Sequence, residues 1–248
     1  MTGENGGLTL AFLLIAVLYA TIGQAGASGY LAVMGVVGFA PETMKTTALA
    51  LNVVVAAIAT YRFSRLRLLS WRTFYPFGVL GIPFSFLGGA VQLPEAIYDP
   101  AVGMILLISA AQMFLAARGR RDTVAQPPPA PPILPAVAAG AVVGFVSGTT
   151  GTGGGVFLAP LILSMNWVAV RQTAAITAAY NLLNSAAALA GAHDHLGALP
   201  EMLPAWMAVV AVGGWLGASL GARLLPETAM RYVLAFVLFG AGIRLLLT

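Results

Sequence analysis

The sequence predicts an all-α polytopic membrane protein, and three observations carry that prediction. The first is composition. Of 248 residues, 59% are hydrophobic and only 8% are charged, against roughly 25% charged in an ordinary soluble domain; mean hydropathy is +0.91. The second is the recurrence of apolar runs at 46–61, 101–117, 207–220 and 232–247. Each approaches or reaches the roughly 17 to 25 residues that cross a bilayer. The third is where the charges fall. A net charge of +4 would suit a nucleic-acid partner, but the basic residues lie at the ends of apolar runs and between them, as membrane topology requires.

The elements follow in order along the chain. The first apolar segment, 8–39, is interrupted by Gly23, Gly26 and Gly29, and three unbroken stretches follow at 46–61, 74–91 and 101–117. The stretch "RGRRDTVAQPPPAPPILP", 118–135, carries charges and prolines that cannot continue a membrane helix, so it reads as a Pro-rich cytoplasmic linker. The same order then returns: a glycine-broken segment at 136–165, then stretches at 173–192, 202–220 and 232–247. Residues 1–117 and 136–248 are therefore two membrane repeats. A shift of 126 residues lays Lys45 on Arg171, Gly29 on Gly155, Thr47 on Thr173 and Ala48 on Ala174. Such internal repeats are common in secondary transporters. The opening "MTGENGGLTL" has no basic residue before its apolar run, so no cleaved signal peptide is expected.

Each broken segment is either one interrupted crossing or a re-entrant hairpin, and charge placement chooses between them. With three full crossings per half, the halves are inverted and only Lys45 and Arg244, of 12 basic residues, lie outside. With four crossings per half, the halves run parallel and four basic residues lie outside. The positive-inside rule favours the first arrangement. The expected fold is thus two inverted repeats, each a Gly-broken re-entrant segment followed by three transmembrane helices.

The segment "SGTTGTGGGVFLAPL", 147–161, is the most informative stretch. Glycine weakens a helix by about 1 kcal/mol relative to alanine, yet Gly151, Gly153, Gly154 and Gly155 cluster within a hydrophobic run. Val156 stands where a dinucleotide fingerprint needs glycine, and Gly154 stands where a phosphate loop needs lysine. Two readings remain, close helix packing or a substrate-lining break. In the second, the N-terminus of the helix after the break offers free N–H groups and a positive dipole end to an anion. Thr149 and Thr152 add hydroxyls. The first half contributes Gln24, Gly26, Ser28 and Gly29.

A polar stripe follows on the next helix, with Thr173, Thr177, Asn181 and Asn184 at helical spacing, and Asn52 lies mid-segment in the first half. These amides either glue helices together or line the path beside the breaks. Lys45 and Arg171 each start the helix after a break; they either snorkel to the interface or draw anions to opposite mouths. The spacing of Gly213, Gly217 and Gly221, repeated by Gly81, Ser85 and Gly89, reads as packing between the halves ahead of homodimerisation, which stays open.

What is missing also shapes the expectation. The chain has no cysteine, which excludes disulfides and thiolate chemistry. His193, Asp194 and His195 form at most a weak metal pattern, no metal or other cofactor is called for, and no catalytic constellation supports an enzyme. All eight acids fall at segment ends or in loops, so no mid-membrane carboxylate is available for proton or sodium coupling.

The core Gly151, Gly153, Gly154, Gly155, with Pro160 after it and the alanine- and threonine-rich region from Thr173 to Asn181, resembles the TauE/SafE family of sulfite exporters, also called the toluene sulfonate uptake permease family. The first repeat departs from that pattern, with Ala25, Ala27 and Ser28 replacing glycines and Met34 at the proline position. The resemblance implies a multi-pass transporter of the bacterial inner membrane that moves sulfite, sulfonates or related small organic anions, with lipid as its surroundings and no nucleic-acid partner. A passive anion channel and a non-transporting scaffold subunit are the alternatives.

Overall fold

The computed structural model describes residues 2–21, 24–118, 131–165, 167–220 and 227–247. Those residues form α-helices, one 3-10 turn and connecting loops, with no strand among them. The first half contains α1 (Thr2–Thr21), α2 (Ala27–Val37), α3 (Pro41–Arg65), α4 (Trp71–Ala90) and α5 (Glu95–Arg118). The second contains α6 (Ile133–Thr150), α7 (Gly155–Ser164), α8 (Val170–Gly191), α9 (Leu203–Leu220) and α10 (Glu227–Leu247), with the 3-10 turn at His193–Ala198. Among the described residues four helices are long and apolar enough to cross a membrane: α3, α4, the 95–115 part of α5, and α6. Most of the expected linker, residues 119–130, together with Gly23, Gly221 and Arg223, lies outside the described residues.

Local chemistry sets the helix ends. Pro41 opens α3, where its missing N–H costs nothing, and Glu42 in the first turn complements the positive dipole end. Arg62 and Arg65 occupy the last turn, where a cation is favourable. At Gly38 the chain turns with φ +88° and caps α2 by donating its N–H to the Met34 and Gly35 carbonyls.

Packing fixes helix direction. Along α4 and α6, Phe77 meets Gly140, Gly81 meets Gly144 and Ser85 meets Gly148, so these helices run parallel. Along α4 and α8, Gly81 meets Tyr180 and Gly89 meets Ala188, again parallel. Thus α6 and α8 point the same way, and α7 between them returns. The other hairpin behaves likewise. Leu13 and Ala16 of α1 meet Gly213 of α9, Val17 meets Gly217, and the Trp206 Nε1–H donates to Thr9 Oγ1 at 3.1 Å. On α3, Val55 faces Gly214 and Arg62 reaches Ser219 at 3.0 Å. Hence α1, α3 and α9 run together and α2 returns. Both glycine-broken segments are hairpins. Their first arms, α1 and α6, at 20 and 18 residues, span about 30 and 27 Å, while the return arms span about 15 Å.

The two halves interlock. One hydrophobic core gathers Phe12 and Tyr19 (α1), Tyr30 (α2), Leu51 (α3), Trp206 (α9) and Leu238 (α10). The other gathers Phe74 and Phe77 (α4), Val143 (α6), Leu158 (α7) and Tyr180 (α8). Helix α4 therefore completes the core of the second hairpin, and α9 completes that of the first. Helices α3 and α8 run antiparallel at the centre of the molecule. The α5 and α10 pair is antiparallel too, with Gly103 against Gly242 at one end and Phe114 against Tyr232 at the other.

Candidate functional site

The two breaks meet. Between α6 and α7 the chain passes through Gly151, Gly153 and Gly154 with φ of +80°, +79° and +69°. A side chain in that region costs roughly 1–2 kcal/mol per residue. Space forbids one as well. A Cβ on Gly153 would lie 3.1 Å from the Ala27 Cβ and close against the Asn52 amide, and one on Gly154 would lie 2.8 Å from the Tyr180 ring. Gly153 thus abuts Ala27, the first residue of α2. Gly26, at φ +97°, makes the corresponding turn in the first half.

An asparagine holds each short helix. The Gly155 N–H donates to Asn181 Oδ1 at 2.7 Å, and the Ala27 N–H donates to Asn52 Oδ1 at 3.1 Å. Asn52 also donates its Nδ2–H to Ser185 Oγ at 2.8 Å, tying α3 to α8. This corrects one expectation: the leading N–H of each short helix is not free but capped by an amide side chain. Among the described residues, the first-turn amides of Ser28, Gly29 and Val156 have no capping partner. A constant shift of 126 would set Asn52 against Ala178; by role, its counterpart is Asn181. Both amides glue helices and frame the breaks, so the two readings of the asparagines are not exclusive.

The remaining expected residues distribute as follows. Ser28 is buried, its Oγ 2.8 Å from the Tyr19 hydroxyl, and Gly29 sits against Ile15 and Tyr19. Thr149 and Thr152 are buried; Thr149 Oγ1 donates to the Phe145 carbonyl at 2.8 Å, and Thr152 Oγ1 lies 3.1 Å from that of Thr150. Thr177 donates back to Thr173 O at 2.9 Å, along its own helix. Gln24 lies just before Gly26, with its Oε1 buried and unpartnered. Arg171 falls in the first turn of α8, but its side chain lies outside the described residues.

Lys45 does not snorkel. It is 5% exposed and donates to the carbonyls of Gly89 and Val91 at 2.8 and 2.7 Å, and to Gly88 at 3.3 Å. It therefore caps the negative C-terminal end of α4. Beside it opens a cavity of about 190 Å³, lined by Glu42, Gln92, Glu95, Tyr98 and Thr149 among others. Above α3, His195 meets Glu42 at 2.7 Å. No group of acids and histidines among the described residues could hold a metal.

Further side-chain hydrogen bonds tie these helices together. Ser147 accepts from Asn184 Nδ2 at 2.8 Å, Ser85 donates to the Asn184 carbonyl at 2.7 Å, and Tyr98 and Tyr180 donate to the carbonyls of Thr150 and Gly140 at 2.9 and 2.8 Å. The sequence reading did not single out Tyr98 or Tyr180, although a tyrosine within an apolar helix is a signal in itself, because a buried hydroxyl needs a partner.

The model of the family described as "Sulfite exporter TauE/SafE" matches residues 8–245, nearly the whole chain. The chain belongs to that family. It is 52% identical over 246 residues to "Probable membrane transporter protein y4hK" of Sinorhizobium fredii (strain NBRC 101917 / NGR234), covering 99% of this chain and all of that one. It is 25% identical over 134 residues to "Probable membrane transporter protein MJ0441" of Methanocaldococcus jannaschii, covering 53% of this chain and 48% of the relative. No solved structure matches the chain. This TauE/SafE member is a multi-pass transporter of the bacterial inner membrane, and a small substrate and a lipid environment follow from that assignment.

Proposed function

We propose that the protein is a secondary transporter that moves a small sulfur-containing anion, sulfite or a sulfonate, past the junction of the two hairpins. The observation that carries this reading is that junction. The N-terminal ends of α2 and α7 converge where Gly153 abuts Ala27. Each end carries a positive partial charge and capping-deficient amides. Among the described residues no buried carboxylate adds negative charge there. Among the described residues the buried polar side chains are serines, threonines and asparagines, and the one buried charged residue is Lys45. An interior with positive dipole ends and no carboxylate favours an anion. Among the described residues the buried Tyr30 and Thr47 hydroxyls lack partners and can donate hydrogen bonds to an anion. The family description, a sulfite exporter, supports the choice of sulfur oxyanions.

The inverted-repeat reading is part of the proposal. It is supported by the antiparallel pairing of α3 with α8 and of α5 with α10, because each pair holds equivalent positions in the two halves. Export of an anion then needs no coupling ion. A potential of 100 mV, negative inside, favours outward movement of one negative charge by about 2.3 kcal/mol, about fiftyfold in ratio.

Reconstitution into proteoliposomes tests the reading. Flux of sulfite, simple alkylsulfonates and carboxylates is measured with the potential imposed in each direction. The expected result is saturable sulfite or sulfonate flux that responds to the sign of the potential. No flux of any of these anions in either direction overturns the proposal, and large unitary currents in a planar bilayer overturn it in favour of a channel.

A further inference from the structure

Helices α5 and α10 touch most closely where Gly103 faces Gly242; a Cβ on Gly103 would lie 3.0 Å from the Gly242 carbonyl oxygen. Away from that crossing the side chains are larger and the helices part. At the far end the Phe114 and Tyr232 rings meet edge-on, with centroids 5.4 Å apart. The wedge between holds a cavity of about 370 Å³ open to the outside of the bundle. Ala110 and Ala235 form its floor, and Leu107, Phe114, Phe236 and Phe239 form its walls. Its rim is bare: Phe236 is 75% and Phe239 53% exposed. One end carries a charge. The Arg118 guanidinium carbon stacks 4.3 Å from the centre of the Phe114 ring, and Arg118 joins neither ion pair found among the described residues.

We propose that this groove binds one anionic phospholipid, its phosphate on Arg118 and an acyl chain along the α5–α10 wedge. The wall is apolar and faces hydrocarbon, so a chain regains dispersion contacts that an unfilled wedge forfeits. The length fits. Leu107 and Arg118 lie 11 residues apart, about 16 Å along the helix, close to half of a hydrocarbon core of about 30 Å and so to one leaflet. The head end fits as well. A guanidinium pre-oriented by an aromatic face offers the paired donors that suit a phosphate, and basic pockets between membrane helices select anionic headgroups. The inference is independent of what the hairpins transport.

Native mass spectrometry of the purified protein, titrated in micelles with dioleoyl phosphatidylglycerol or dioleoyl phosphatidylcholine, tests it. One cation at the surface contributes about 1 kcal/mol, so the anionic lipid should be retained about fivefold better. Arg118→Gln should erase that preference while leaving both lipids bound. Ala111→Phe, which fills the groove, should displace both. Should that variant fail to fold, Ala111→Cys labelled with a bulky maleimide after purification blocks the same groove. Equal retention of the two lipids by the unaltered protein, or a preference that survives Arg118→Gln, overturns the proposal. So does efficient disulfide crosslinking of Ala111→Cys to a second copy, which would make the groove a dimer seam.

Discussion

At the residue scale, the two asparagines carry the argument. Asn181 and Asn52 each accept the first N–H of a short helix. Truncating Asn52 leaves the Ala27 N–H without its acceptor, at a cost of about 1–3 kcal/mol. Asn52→Ala should lower the melting temperature in detergent accordingly, and Asn181→Ala should lower it less, because the Gly155 N–H also reaches the Gly153 carbonyl at 2.8 Å. Asn181→Asp separates stability from transport, because a carboxylate still accepts the Gly155 N–H. It places a negative charge at the meeting of the breaks, however. Two like charges 4 Å apart repel by about 4 kcal/mol at an effective dielectric of 20. Flux of an anion should therefore fall at least about tenfold, equivalent to about 1.4 kcal/mol, with melting little changed; unaltered flux would argue that the substrate does not pass there. Lys45 is less discriminating. Because it caps α4 through three carbonyls, Lys45→Met should cost about 1.5–3 kcal/mol of stability whatever is transported, read as a lower melting temperature.

At the scale of elements, glycines set how closely α4, α6, α8 and α9 approach. A Cβ on Gly89 would run into the Ala188 carbonyl, and one on Gly144 into that of Gly81. Gly89→Val and Gly144→Val should abolish stable folding, seen as loss of the monodisperse peak on gel filtration. Gly240 has nothing within 4 Å of its added Cβ, so Gly240→Ala should fold normally and gain up to about 1 kcal/mol from helix propensity. Much of this scale was legible beforehand. The spacing of Gly81, Ser85 and Gly89 pointed to packing between the halves, and small residues at that spacing have few other uses in a membrane helix. The apolar runs also located the helices, with ends within about six residues of those observed and with α1–α2 and α6–α7 each read as one broken segment. Illegible were the partners: nothing in the period of glycines along α4 says that α6 and α8 will fill its grooves. The asparagine caps were half-legible. Asn52 and Asn181 stood out as amides in apolar helices, but whether each holds a helix or faces a substrate depends on what lies opposite.

At the scale of the molecule, the expectation concerns sides of the membrane. With α3 and α8 antiparallel, Leu66 and Gln92, at opposite ends of α4, belong on opposite faces. The absence of native cysteine makes labelling direct. An impermeant maleimide added to intact cells should label Gln92→Cys, and should label Leu66→Cys only after permeabilisation; the reverse pattern would overturn the orientation drawn from the charges. Composition and charge placement, read from the sequence alone, determined the membrane class, the apolar segments and the position of the breaks. Those properties are local, since hydropathy, helix length and glycine propensity act on neighbouring residues. The tertiary structure alone decided that α4 and α9 trade places between the two cores, that the breaks touch at Gly153 and Ala27, and that Lys45 turns inward to α4. Each of these joins residues far apart in the chain, and each is chosen by which apolar faces and orphaned backbone groups can satisfy one another inside a medium that supplies no water.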